Sequence, residues 1–415
     1  MTLTGMEAPA RFRVRVLDLR SYSTERRHSR RARQEVGRTG RMQDVPSREL
    51  TAEEIEFLAV GAWVLGTGGG GSPYMALLNM RRLYAEGKRV RLMSPMDLPD
   101  TAHVAVVSNM GAPLVGQERL VDSRSSARSV ELQQEHCGIR FDAVMSVEIG
   151  GGNGLQPLMV AAHLGIPVVD SDFMGRAYPE AQMTSSAIGD LSPVPMMLYD
   201  CRGIEATVRT APSWKWVERV SRKICAEMGS TSCTCKAPRT GAEVKEWGIH
   251  FTTTKAIEIG RVLDETLKAH GDPIEALIRN QGGKKLFTGK ITDVERRTTE
   301  GFLRGTARVA GLDGDAGRSL TLSFQNEWVV AWDGDPEANR PLATTPDLIC
   351  VLDTETGDGI GTETIRYGQR ISILALPAPE ILTTERGLEF VGPRAFGYDI
   401  TFKSVFDGAI GEARA

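Results

Sequence analysis

Residues 143–170 read AVMSVEIGGGNGLQPLMVAAHLGIPVVD, and the order of textures in this stretch decides the fold. The apolar run 143–149, ending in Glu148-Ile149, has the length of a buried strand. Four glycines around Asn153 break it. Residues 155–164 then repeat apolar side chains at helical spacing, and IPVVD at 166–170 is a second buried run. Strand, glycine turn, helix, strand is the unit of a parallel sheet with crossover helices. VAVVS at 104–108 is a further strand of this kind, and a helix is expected over 129–138 after a polar loop at 119–128. In such sheets the carboxyl ends of strands line the ligand crevice, which singles out Glu148 and Asp170.

Upstream, Thr51 and Glu54 have capping-box spacing, with Leu50 placed as a staple, so a helix is expected through Val64. GTGGGGSP at 66–73 follows, and Pro73 opens a second helix over 74–86. Consecutive glycines let backbone N–H groups converge on an anion such as a carboxylate, a phosphate or a developing oxyanion. A tight helix–helix turn is the plainer reading. The loop lacks the Gly-Lys-Ser/Thr of a phosphate-binding loop, and a helix rather than a strand precedes it, so no nucleotide is expected.

Downstream, residues 171–212 are rich in Ser, Pro and Met and read as a long functional loop, and 214–227 and 252–279 as amphipathic helices. From 286 the chain becomes short alternating segments divided by turn residues, the pattern of a small barrel or sandwich. The expected architecture is an α/β domain over 50–285, with helices of 213–285 bridging, and a β-rich domain over 286–415.

Composition bounds the function. The 415 residues carry a net charge of −3, with no basic domain of the kind nucleic-acid binders show. No apolar run approaches the ~20 residues of a membrane span. The first 50 residues hold twelve arginines and six acids, and residues 1–49 read as a disordered extension, with an organelle-targeting segment as the alternative. Six cysteines without zinc spacing fit reduced thiols in a cytosolic protein. Cys225, Cys233 and Cys235 lie close together, but Cys-Thr-Cys is not a zinc knuckle.

Three constellations carry chemistry. Glu148 with Gly151, Gly152 and Asn153 joins a carboxylate, a flexible backbone and an amide into a substrate clamp. Asp170 and Asp172, with Arg176 and Glu180 beyond, can share a proton, hold a metal, or divide acid and base work. The plainer alternative makes Asp172 a helix cap and Arg176–Glu180 an ion pair. In the β-rich part, Asn326 and Glu327 place an amide and a carboxylate within one strand, and Glu363 with Arg366 reads as an ion pair.

Taken in order, GTGGGGSP, SVEIGGGNG, PVVDSDFMGRAYPE, FQNE, GTETIRYGQR and VGPRAFGYD resemble the S-methyl thiohydantoin desulfurase family from about residue 50 to about 402. The resemblance implies an α/β domain followed by a β-rich domain. It also implies hydrolytic removal of methanethiol from an S-methylated cyclic ureide, and hydantoinase or oxoprolinase subunits as partners. One departure is the Cys-rich stretch 230–238, where the family carries small apolar residues. For that chemistry, Asp172 or Glu148 would be the base and Asp170 would orient it. Gly68, Gly69, Gly70, Gly71 and Ser72 would bind a substrate carboxylate or ring carbonyl, with Arg176 as a second anion partner. A divalent metal held by Asp170, Asp172 and a histidine such as His163 is another way to activate water. A homo-oligomer is the expected state. The competing reading is a non-catalytic accessory subunit of a hydantoinase-type enzyme.

Overall fold

Side chains alternate between two apolar layers along His103–Gly111. Val104 and Val106 pack with Met145 and Val169, whereas Ala105 and Val107 pack with Val144 and Val168. A strand buried on both faces needs no polar alternation, which is why these runs are continuously apolar. The structure, a computed structural model, describes residues 46–112, 115, 122–299 and 301–407, and these described residues fall in one contact unit.

The first sheet runs, edge to edge, through Arg48–Glu49, Arg91–Met93, Val168–Val169, Ala143–Ser146, His103–Gly111, Thr231–Cys235, Met196–Tyr199 and Glu205–Val208. The contacts from Arg91–Met93 to His103–Gly111 are parallel, as the strand–helix–strand pattern requires. The others along this path are antiparallel, so the sheet is mixed. The Cys-rich stretch supplies Thr231–Cys235, a central strand, and Arg239–Thr240 adds a further antiparallel pairing with His103–Gly111. Three expectations are corrected. The helix expected from 129 spans Ser123–Cys137, because the Asp122 side chain accepts from Arg124 N–H and caps it. The single helix expected over 252–279 is two, Thr252–Lys268 and Pro273–Gln281, because Asp272 caps and Pro273 opens the second. The 171–212 stretch, expected as a loop, contains the short elements Ser171–Asp172, Ser185–Ile188, Met196–Tyr199 and Glu205–Val208.

The second sheet is antiparallel, in the order Pro341–Thr344, Glu327–Asp333, Ser319–Gln325, Phe302–Gly311, Lys284–Thr299, Arg370–Leu376 and Leu348–Asp353. It curls into a half-barrel, bringing Glu327–Asp333 against Leu348–Asp353. Between the sheets lie Ala52–Leu65, Thr252–Lys268 and Pro273–Gln281. Leu58, Ile259 and Leu277 share one core with Val107 and Val144 of the first sheet and with Leu352 and Leu374 of the second. Ala52–Leu65 carries the expected capping box, with Thr51 and Glu54 hydrogen-bonded reciprocally. Residues 1–45 of the Arg-rich stretch lie outside the described residues. Its end is structured: Arg48 and Glu49 pair with Leu92 and Arg91. Among the described residues, no helix is long and apolar enough to cross a membrane.

Arg176 joins the layers. Fully buried, it donates to Thr67 Oγ1 at 2.5 Å, the carbonyls of Asp347 and Ala177 at 3.1 Å each, and the Trp328 carbonyl at 3.3 Å. Its guanidinium also lies 4.7 Å from the centre of the Tyr178 ring. Arg176→Met would leave these buried acceptors without a donor and is expected to destabilise the protein by about 3 kcal/mol or more. Urea unfolding checks this, and an unchanged midpoint would contradict it.

Candidate functional site

The end of the Ala143–Ser146 strand is folded back on itself by one hydroxyl. Ser146 Oγ shares its one hydrogen between the carbonyl oxygens of Glu148 at 2.5 Å and Asn153 at 2.9 Å, drawing the glycine turn under the strand end. Glu148 is thereby aimed inward and buried. Its Oε1 accepts from Asn153 Nδ2 at 2.5 Å and its Oε2 from Tyr178 N–H at 3.0 Å. Asn153 is itself fixed, because its Oδ1 accepts from Asn109 N–H at 2.7 Å. Burial pushes the Glu148 carboxyl up to about 7, against the downward pull of these donors and of the Lys236 and Arg176 charges.

Glu148 faces a cavity of about 210 Å³. Small-molecule pockets begin at about 300 Å³ for drug-sized ligands, so this volume suits one small ring. Gly70, Gly71 and Ser72 line it from the first glycine loop, and Gly152 and Asn153 from the second. Asn326 and Glu327 enter from the antiparallel sheet. Among the described residues, the N–H groups of Gly70 and Gly71 donate to no protein oxygen and remain as donors for a ligand. The first glycine loop is also a close-packing device. The Gly71 carbonyl accepts from Gly152 N–H at 2.8 Å, the Gly68 carbonyl from Thr362 N–H at 2.9 Å, and the Thr67 carbonyl from Trp328 N–H at 2.8 Å. Both readings of the loop, donor cradle and tight connection, therefore describe parts of it. Gly68, Gly69 and Gly151 lie behind the lining. A side chain on Gly69 would fall 2.7 Å from Glu327 Cγ.

The acids after the next strand have other work. Asp170 is buried and spent as a helix cap, accepting from Thr253 N–H at 2.9 Å, Thr254 N–H at 3.1 Å and Thr254 Oγ1 at 2.5 Å. Asp172 accepts from Ile149 N–H at 2.7 Å and from Gly175 N–H at 2.9 and 3.0 Å, so it anchors the turn carrying Glu148. Burial pushes its carboxyl up to about 8, opposed by those backbone donors and reinforced by the Glu148 charge. Neither aspartate lines the cavity, nor does Arg176, whose donors are committed to the staple described above. His163 bonds Ser123 Oγ at 2.9 Å. Among the described residues, no three His, Cys, Asp or Glu side chains are gathered to hold a metal, so the donor set imagined for one does not assemble.

Asn326 is not within a strand. It is the single left-handed residue, φ 57°, at the tip of a hairpin in which Gln325 pairs with Glu327. Its Oδ1 accepts from Leu303 N–H at 2.8 Å, holding the tip in place. Glu363 is not paired with Arg366. It turns into the cavity wall, and burial pushes it up to about 7. Glu327 is raised well above the ordinary carboxyl range by burial and by the neighbouring Glu148 charge.

Sequence reasoning missed Lys236. It follows the strand Thr231–Cys235, lines the cavity, and is pushed down to about 8 by burial, against the Glu218 and Glu148 charges. The lone lysine after an uncharged strand was the available signal. The thiols of that strand are shifted by the same physics: burial pushes Cys233 up to about 11 and raises Cys235 further still, which disfavours the reactive thiolate.

Residues 53–210 match the S-Me-THD-like N-terminal domain, and 212–405 match the S-Me-THD-like C-terminal domain. The chain belongs to the S-Me-THD-like family. Within it, the cavity is built from both family domains: Glu148 and Asn153 come from the first, Lys236, Glu327 and Glu363 from the second. No curated protein matches the chain. A crystal structure of a protein from Chromobacterium violaceum shares the fold, with a TM-score of 0.70 at 23% identity over 86% of this chain and 99% of that one.

The loop geometry separates two neighbouring glycines. Gly70 and Gly71 both have positive φ, 74° and 73°, but a Cβ on Gly70 would meet the Gly150 carbonyl carbon at 2.7 Å, whereas one on Gly71 meets nothing within 4 Å. Gly71→Ala is expected to cost about 1 kcal/mol for the left-handed conformation alone, and Gly70→Ala about 3 kcal/mol or more. Equal losses in chemical denaturation would contradict the packed-loop account.

Proposed function

We propose that this protein hydrolyses a small cyclic ureide derivative, and specifically the C–S bond of an S-methyl thiohydantoin. The observation that carries the proposal is Glu148, a buried carboxyl held near 7 in the wall of a cavity sized for one small ring. The family takes its name from that desulfurase activity, and the chemistry required is of this kind.

The carbon between the two ring nitrogens bears the methylthio group and is the electrophile. Glu148 as carboxylate accepts a proton from water, whose oxygen forms the new C–O bond. The C–S bond then breaks, and methanethiol leaves with a proton supplied by the Lys236 ammonium, leaving the hydantoin. A base near 7 and an acid near 8 are each matched to neutral pH, the condition for efficient proton transfer. Gly70 and Gly71 N–H groups are suited to the ring carbonyl oxygen and to charge developing during addition. Asp172 and Asn153 act as positioning residues, fixing the turn and the carboxylate.

Glu148 must be deprotonated, so the rate rises as pH passes upward through about 7. Lys236 must be protonated, so the rate falls again as pH passes about 8. Methanethiol release followed against pH is expected to trace this narrow bell. Glu148→Gln should lower kcat by about 10²- to 10⁴-fold with the fold retained. A profile flat from about pH 6 to about pH 9, or full activity in Glu148→Gln, would overturn the assignment. Turnover that needs an added hydantoinase-type subunit and ignores Glu148 would instead favour the accessory-subunit reading.

A further inference from the structure

The cavity wall holds five carboxyl groups, Glu148, Glu180, Glu218, Glu327 and Glu363, against two cations, Lys236 and Arg222. Four of the seven are already engaged with one another or with neighbouring amides. Arg222 is hydrogen-bonded to Glu218 and to the Pro179 carbonyl, and Glu180 accepts from Gln182 Nε2 at 2.6 Å and Gln325 Nε2 at 3.0 Å. Glu148 is satisfied by Asn153 and Tyr178. Glu327 and Glu363 are different. Both are more than nine-tenths buried, and an oxygen of each, Oε2, has no hydrogen-bond partner among the described residues. Among the described residues no donor is bonded to either carboxyl group, and a buried carboxyl in a cavity wall is costly unless a ligand or a proton offsets its lost solvation. The cavity is therefore poor in anion partners and rich in unused acceptors, the opposite of a site for a negatively charged heterocycle.

We propose that Glu327 and Glu363 bind the N–C–N unit of the substrate through its N–H donors as a protonated amidine, so that the cavity selects cyclic amidinium-type rings, including cyclic guanidines. A ring whose exocyclic sulfur or amine shares charge with both ring nitrogens offers N–H donors in one plane, the arrangement carboxylates recognise best. The inference rests on the hydrolase reading for its chemistry but not for its binding claim. With a 2-amino-imidazolin-4-one in place of the methylthio ring, water would form the C2–O bond and the exocyclic C–N bond would break. Ammonia would leave with the proton relayed by Glu148, and the same hydantoin would remain.

The test is a binding comparison that needs no turnover. Calorimetry at neutral pH with 2-amino-imidazoline, a permanent cation under those conditions, is set against the neutral isostere 2-imidazolidinone. The cation is expected to bind about tenfold tighter or more, the worth of one charge-assisted hydrogen bond. Glu327→Gln and Glu363→Gln should each shrink that ratio toward one, and because the ratio is internal to each variant it does not depend on equal stability. Equal or tighter binding of the neutral ring by the unsubstituted protein, or a preference that survives both substitutions, would overturn the proposal. Should S-methyl thiohydantoin be hydrolysed while the cation shows no preference, this inference fails and the hydrolase reading stands. Should the cation be preferred without any hydrolysis, the reverse holds.

Discussion

A carboxyl group buried without a cation bonded to it is the constraint around which this site is organised. Glu148 is held by two neutral donors, Asn153 Nδ2 and Tyr178 N–H, and by no ion pair. Such a group stays near the point of changing protonation, because burial disfavours the charge and the donors only partly restore it. Glu327 and Glu363 extend the same condition across the cavity from the antiparallel sheet. Lys236 is displaced in the opposite sense by the same burial. Titratable groups displaced from their ordinary ranges thus follow from where two sheets and a glycine loop meet.

That meeting depends on backbone approaching backbone. The loop after Ala52–Leu65 is threaded between the glycine turn at 150–154 and the strand beginning at Glu327, and it bonds both through carbonyl oxygens. Arg176 reaches across the same junction and secures Thr67, Trp328 and Asp347. The structural reason for the glycines is thus as strong as the chemical one. Gly70 serves both, with its carbon skeleton against Gly150 and its N–H left for a ligand.

Local signals in the sequence carried much of the fold. The Thr51–Glu54 box, the doubly buried runs at 104–108 and 143–149, and the change to alternating segments near 286 all correspond to elements found. Boundaries failed where one side chain overrode texture, as with Asp122 extending a helix into a polar stretch and Asp272 with Pro273 dividing another. At the site, Glu148 was legible because it ends a strand of a parallel unit. Asp170 and Asp172 were legible as buried acids but not in role, since their partners are backbone N–H groups of residues 149, 175, 253 and 254, which no spacing reveals. Lys236 and Glu363 reach the cavity only through long-range pairing, Lys236 beyond an antiparallel strand inserted beside His103–Gly111 and Glu363 in the connection between the paired strands Leu348–Asp353 and Arg370–Leu376.

The protonation state of Glu148 tests this account most directly. Difference infrared spectroscopy of the carboxyl stretch, with Glu148→Gln as the reference that identifies the band, follows its titration without substrate. The account predicts half-protonation near 7. A midpoint near the ordinary glutamate value of about 4.3 would mean that the carboxyl is solvated or paired, and would contradict the account at its base.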